Sequence, residues 1–169
     1  MGRLGLCCVA VVLAAGCGAE NSYLITVEPQ GTKIIIGKFT PSVLDSDPAF
    51  LWYPQNYDAF TPDPASIEYL SNAAKDVHFI VVCGTWCGDT KRELPKFFKV
   101  VSLAHIPGSN IELYGVDRSK KSKDGLTEQY GISRVPTIIL ISGGHEVGRI
   151  VESTKRGMEF DLANLLRKK

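Results

Sequence analysis

The run Val77-His78-Phe79-Ile80-Val81-Val82-Cys83 is the feature that most restricts the fold open to this chain. Apolar residues occupy both parities of the run, so a strand formed here is buried on both faces and must lie inside a layered sheet. Gly84-Thr85-Trp86-Cys87 then reads as a turn, and Gly88 to Ala104 has the spacing of a helix. A cysteine is thereby set where a central strand passes into a helix. The first N–H groups of a helix have no partner within it, and the helix dipole adds partial positive charge there. Both favour a sulfur anion, the species that attacks disulfides. The bland alternative is a small side chain packed near a turn.

The rest of the chain extends this pattern. Ile67 to Lys75 reads as a helix, Ile111 to Val116 as a second buried strand, and Leu126 to Tyr130 as a short helix after a polar loop. Val135 to Ser142 and Glu146 to Glu152 bracket Gly143-Gly144 as a hairpin, and Glu159 to Arg167 closes the chain as an amphipathic helix. Strand-helix alternation predicts a parallel start, and the hairpin predicts an antiparallel edge. Upstream, Tyr23 to Val27 and Lys33 to Gly37 read as strands around the turn Glu28-Pro29-Gln30-Gly31, and Thr40-Pro41 has the shape of a helix start. Asp47 to Pro64 reads as irregular, but its aromatics (Phe50, Trp52, Tyr53, Tyr57, Phe60) argue that it folds onto the main domain rather than hanging free. The expected division is 1–16, 17–65 as an extension packed on the main domain, and 66–169 as that domain.

At the strand-helix junction the residues show a resemblance. Thioredoxins carry Trp-Cys-Gly-Pro-Cys-Lys at the end of a central strand, and Trp86-Cys87-Gly88-Asp89-Thr90-Lys91 resembles that segment in the same context. Pro95, eight residues after Cys87, stands where thioredoxins have the proline that kinks the following helix. Val135-Pro136-Thr137 resembles their cis-proline segment, and Gly144 falls in the hairpin turn beyond it. The resemblance covers roughly residues 66–168. It implies an α/β thioredoxin-like three-layer sandwich, a mixed central sheet flanked by helices, here with an N-terminal strand and loop extension. It implies Cys87 as nucleophile, with Trp86, Thr90 and Pro136 in supporting catalytic roles. Trp86, Gly88, Asp89, Val135 and Pro136 would meet the substrate, a protein or peptide thiol or disulfide, and neither cofactor nor metal is required.

Three departures bear on mechanism. Thr90 stands in place of the second, resolving cysteine; its hydroxyl can hydrogen-bond a thiolate but cannot displace a mixed disulfide. Val81 replaces the buried acid of many thioredoxins, and Leu113 the lysine near it, so the region behind the thiol should be apolar. Resolution then falls to a second substrate thiol or to Cys83, four positions before Cys87. A Cys83–Cys87 bond requires Cα atoms within about 7 Å, and whether Cys83 pairs or packs inertly stays open. Asp89 either opposes the thiolate by its charge or simply begins the helix.

The amino terminus differs in composition. Arg3 is followed by an apolar stretch from Leu4 to Ala15 that ends in Ala14-Ala15-Gly16-Cys17, too short for a comfortable membrane span and shaped as a signal peptide. Small residues before Cys17 resemble a bacterial lipoprotein signal, although Leu13 lies one place further back than is usual. The resemblance implies cleavage after residue 16, lipidation of Cys17, and an exported protein anchored in the cell envelope or periplasm. Gly18 would favour the outer membrane in a Gram-negative host. An ordinary secretory signal or an uncleaved anchor is the alternative. Of five cysteines, Cys7 and Cys8 would leave with the signal and Cys17 would carry lipid, so only Cys83 and Cys87 remain for the folded part. Two are too few for a disulfide scaffold.

A formal net charge of +1 argues against a nucleic-acid surface, and the basic run Lys120-Lys121-Ser122-Lys123 reads as a solvated loop. Other readings of the site stay open. Cys87-Gly88-Asp89-Thr90 resembles the start of a glutathione peroxidase site, but the Trp-Asn-Phe motif of that family is absent from the sequence. Cys83 and Cys87 have the separation used by Sco-type copper chaperones, but His78, His105 and His145 show no ligand-like spacing. A redox-inactive thioredoxin-fold binding module would keep the substrate-facing surface without turnover. Oligomeric state is not legible.

Overall fold

The computed structural model describes residues 22–168, so the proposed signal and Cys17 lie outside the described residues. Strands β1 (Ser22–Val27) and β2 (Lys33–Lys38) form an antiparallel hairpin. Helices α1 (Ser42–Ser46), α2 (Trp52–Ala59) and α3 (Pro64–Ala73) lead to β3 (Val77–Cys83) and α4 (Gly88–Leu103). Then come β4 (Ile111–Gly115), α5 (Leu126–Gln129), β5 (Thr137–Ser142), β6 (His145–Val151) and α6 (Met158–Arg167).

All six strands belong to one sheet in the order β1-β2-β4-β3-β5-β6. Strand β3 runs parallel to β4, pairing Phe79 with Ile111 through Cys83 with Gly115, and antiparallel to β5. The parallel start and antiparallel edge are as the element order predicts. The upstream hairpin does more than pack on the domain: β2 pairs with β4 at Gly37–Gly115 and Lys38–Tyr114 and so extends the sheet.

Alternation along β3 divides the interior in two. Val77, Phe79, Val81 and Cys83 point into the larger core, where α3, α4 and α6 contribute Leu70, Phe97 and Leu162. Ile80 and Val82 point to the other face and meet Val116, Ile132, Val135 and Ile139, beneath the segment that carries α5. The double burial expected of this strand is thus met by layers on both sides. Val81 and Leu113, directly paired across β3 and β4, are both buried in the larger core.

Two local expectations need correction. The 47–64 stretch is helical rather than irregular: Pro48–Phe50 forms a 3-10 turn capped by the Asp47 carboxylate, and α2 follows. Its prolines obscure this, yet Pro54 sits in the first turn of α2, where a missing N–H costs nothing. Trp52, Tyr53, Asn56 and Tyr57 then share one side of the helix, and Tyr53 packs against Phe98 of α4. Likewise Thr40 does not cap α1; its hydroxyl meets that of Ser42 at 2.7 Å, and the helix begins one residue later than Thr40-Pro41 suggests.

Candidate active site

Strand β3 ends where the Val116 N–H donates to the Cys83 carbonyl at 2.9 Å, and the turn Gly84 to Cys87 follows. Four interactions fix that turn. The Cys87 N–H donates to the Gly84 carbonyl at 2.8 Å. The Gly84 N–H donates to the Thr90 hydroxyl oxygen at 3.2 Å, deep inside the first turn of α4. Thr85 is 1% exposed; its hydroxyl donates to the Lys33 carbonyl at 3.0 Å and accepts from the Ile35 N–H at 3.3 Å. The turn is therefore hydrogen-bonded to β2, an element of the extension.

The fourth is Trp86, whose indole N–H donates to the Val116 carbonyl at 3.0 Å. Its ring lies so close to Gly84 that a Cβ there would sit 2.7 Å from an indole carbon, which explains the glycine. The Arg118 guanidinium stacks over Trp86 at 5.0 Å and donates to both carboxylate oxygens of Glu28, at 2.6 and 2.9 Å. Arg118 in turn holds the half-buried Glu28 carboxyl below the usual range, chiefly through those hydrogen bonds. The β1–β2 turn thus reaches the side of the cysteine loop.

Cys87 is the N-cap of α4, with extended backbone (φ −86°, ψ 131°), and is partly exposed. Its Sγ donates to the Val135 carbonyl at 3.2 Å. The Val135–Pro136 peptide is cis, and the Thr137 hydroxyl donates to the Arg134 carbonyl at 2.7 Å beside it. The Glu152 N–H donates to the Pro136 carbonyl at 2.7 Å, tying this segment to the end of β6. Asp89 lies in the first turn of α4 and accepts from Arg92 at 2.7 Å, so its charge is partnered.

The structure brings Trp86, Cys87, Gly88, Asp89, Val135 and Pro136 to one end of the sheet. Thr90 has different surroundings from those anticipated, and Cys83, whose pairing the sequence leaves open, is packed in the core. Thr90 is fully buried with its hydroxyl oxygen on Gly84, and the Cys87 sulfur bonds Val135 instead. Cys83 is a fully buried free thiol in the larger core, whereas Cys87 packs against the smaller cluster on the opposite face. Burial pushes the Cys83 thiol far above its ordinary range, with the nearby Cys87 adding to the effect. Burial of this kind disfavours the thiolate, the nucleophilic form. Thr85, Arg118 and Glu28 were not singled out from sequence. Their part at this site depends on tertiary contacts, up to 90 residues apart for Glu28 and Arg118, that no local pattern signals.

A mixed sheet whose parallel central strand leads through a cysteine into a helix, faced by a cis-proline at the head of the next strand, defines a thioredoxin-type fold. The thioredoxin family model matches residues 65–164, and the chain belongs to that family of thiol–disulfide redox proteins. Among solved structures, a protein of unknown function from Pseudomonas aeruginosa is 16% identical, with a TM-score of 0.56 over 79% of this chain and 92% of its own. An HIV epitope-scaffold is 19% identical, with a TM-score of 0.52 over 79% of this chain and 84% of its own. Both are alike in fold. No curated protein matches the sequence.

Proposed function

We propose that the protein carries out thiol–disulfide exchange outside the cytoplasm with a single nucleophile, Cys87. The observation that carries the reading is the placement of this partly exposed sulfur, at the N-cap of α4 and 3.2 Å from the carbonyl that precedes Pro136. In that position the thiol proton rests on the Val135 carbonyl. Once the proton leaves, the unpaired N–H groups of Gly88 and Asp89 at the helix start are the groups available to the sulfur anion. The anion attacks one sulfur of a substrate disulfide; the protein–substrate S–S bond forms as the substrate S–S bond breaks, and the other substrate sulfur departs as a thiolate. Trp86 supplies an apolar wall, and Val135 and Pro136 a backbone edge for the substrate chain.

Resolution is the distinctive step. Thr90 has no sulfur, and Cys83 lies buried on the other face of the sheet. A second thiol, from the substrate or from solution, therefore attacks the mixed disulfide and returns Cys87 as thiolate, so that two sulfurs are exchanged without net oxidation. This favours isomerisation, or reduction by an external thiol. The export reading is supported by the Arg3 to Cys17 pattern, with Cys17 as the lipid-bearing residue.

Trapping tests the proposal. Cells expressing the full chain are quenched with acid and an alkylating agent, and covalent partners are compared with those of a Cys87→Ser variant. Partners that dissolve on reduction and vanish in the variant support it. Partners that persist in the variant refute Cys87 as nucleophile, and none at all under oxidising conditions would favour a redox-inactive binding module.

A further inference from the structure

A second concavity lies away from the thiol. A groove of about 830 Å³ opens between α2, α4 and the start of β4, toward the end of the sheet opposite Cys87. Its volume falls within the range of small-molecule sites, about 300–1,000 Å³. Phe39, Tyr53, Phe98 and Leu113 form apolar walls, and the charged residues of the lining are the exposed Asp45 and Asp58; no lysine or arginine takes part.

Tyr53 gives the groove a specific polar point. It is 3% exposed, and no hydrogen bond among the described residues engages its hydroxyl. Burial, with the Asp45 carboxylate second, disfavours its ionised form, which places negative charge close to the phenol. The hydroxyl, without a protein partner, is thus left to water or to a ligand's polar group in the groove. Tyr57 also lines the groove, and Lys99 stacks on its ring at 4.7 Å from outside the lining, so this ring already holds a cation by its π-face.

We infer that this groove binds a cationic amphiphile: an apolar chain or ring system against the aromatic walls, with an ammonium group at Asp45 and Asp58. Charge complementarity selects this occupant, since the charged groups of the lining are acidic and stand beside aromatic rings, with Lys99 outside the lining; such a lining attracts a cation and repels a carboxylate. The site is independent of the thiol chemistry.

The test titrates the full chain by calorimetry with three probes of matched tail: decyltrimethylammonium, decanol and decanoate, all below their micelle concentrations. Expected is binding of the ammonium probe about tenfold or more tighter than either of the others. Asp45→Asn combined with Asp58→Asn should remove most of that preference, and both positions are exposed enough for the variant to fold. Ser102→Trp, at an exposed lining position, should block binding while leaving the melting temperature near that of the native chain. Equal or tighter binding of decanoate would overturn the inference. So would failure of every probe to bind.

Discussion

Thr85→Val removes one oxygen and tests whether the extension and the cysteine loop form one structure. Valine has nearly the shape of threonine but lacks the hydroxyl, so two main-chain partners are lost with little change of volume. The Ile35 N–H, in a fully buried residue, and the Lys33 carbonyl both lose the hydroxyl that bridges them at 3.3 and 3.0 Å. An orphaned buried group costs about 1–3 kcal/mol. With two groups affected and part of the loss returned by valine's greater hydrophobicity, we expect a destabilisation of about 2–4 kcal/mol. In a protein of this size that lowers the melting temperature by roughly 5–12 °C. Equilibrium urea denaturation should show a lower midpoint with an unchanged slope. Thr85→Ser, which keeps the hydroxyl, should recover most of the loss. A change below about 0.5 kcal/mol in the valine variant would refute the reasoning, because it would mean that the bridge contributes nothing beyond ordinary surface exchange.

Further outcomes follow from other contacts. In the native full chain, mass-mapped alkylation should label Cys87 and spare Cys83 until the protein is unfolded; Cys83→Ala should leave the rate at Cys87 unchanged, and labelling of native Cys83 would contradict its burial. Gly84→Ala puts a Cβ 2.7 Å from the Trp86 indole, so the ring must swing and give up its bond to Val116; a cost of about 1–2 kcal/mol and a shifted tryptophan emission are expected. Asp47 is held below the usual carboxylate range, first by Lys33 and then by the Ala49 N–H. Because this pKa is depressed on folding, its stabilisation is present above the unfolded value of about 4 and is lost as pH falls through the lower folded value. The stability gap between the native chain and Asp47→Asn should therefore be open at neutral pH and close in acid, and a gap that widens in acid would reverse the sign of this reasoning.

Much of this architecture is written in local patterns. Apolar residues at both parities of Val77 to Cys83 require a central strand, and Gly143-Gly144 between two apolar segments requires a hairpin. The face of Cys83 follows from parity as well: it shares its side with Phe79 and Val81, and Cys87 lies beyond a turn that leads to the other side. The helix at 52–59 was obscured because prolines that break helix interiors are tolerated in a first turn. The bonds of Thr85 with β2, and of Glu28 with Arg118, arise only after β2 joins the sheet, so no spacing in the chain announces them. Thr90 illustrates the same limit: its position matches a family site, but the partner of its hydroxyl is decided by the turn of Gly84.

The central claim is that Cys87 exchanges disulfides alone. Incubating the purified, reduced protein with oxidised glutathione and following the intact mass with peptide mapping tests it most directly. One glutathione should join Cys87 as the other departs as a free thiol; once that thiol is removed the adduct should persist, and it should leave when a small thiol is added. Conversion of that adduct to an internal disulfide containing Cys83, or an unmodified Cys87, would contradict it.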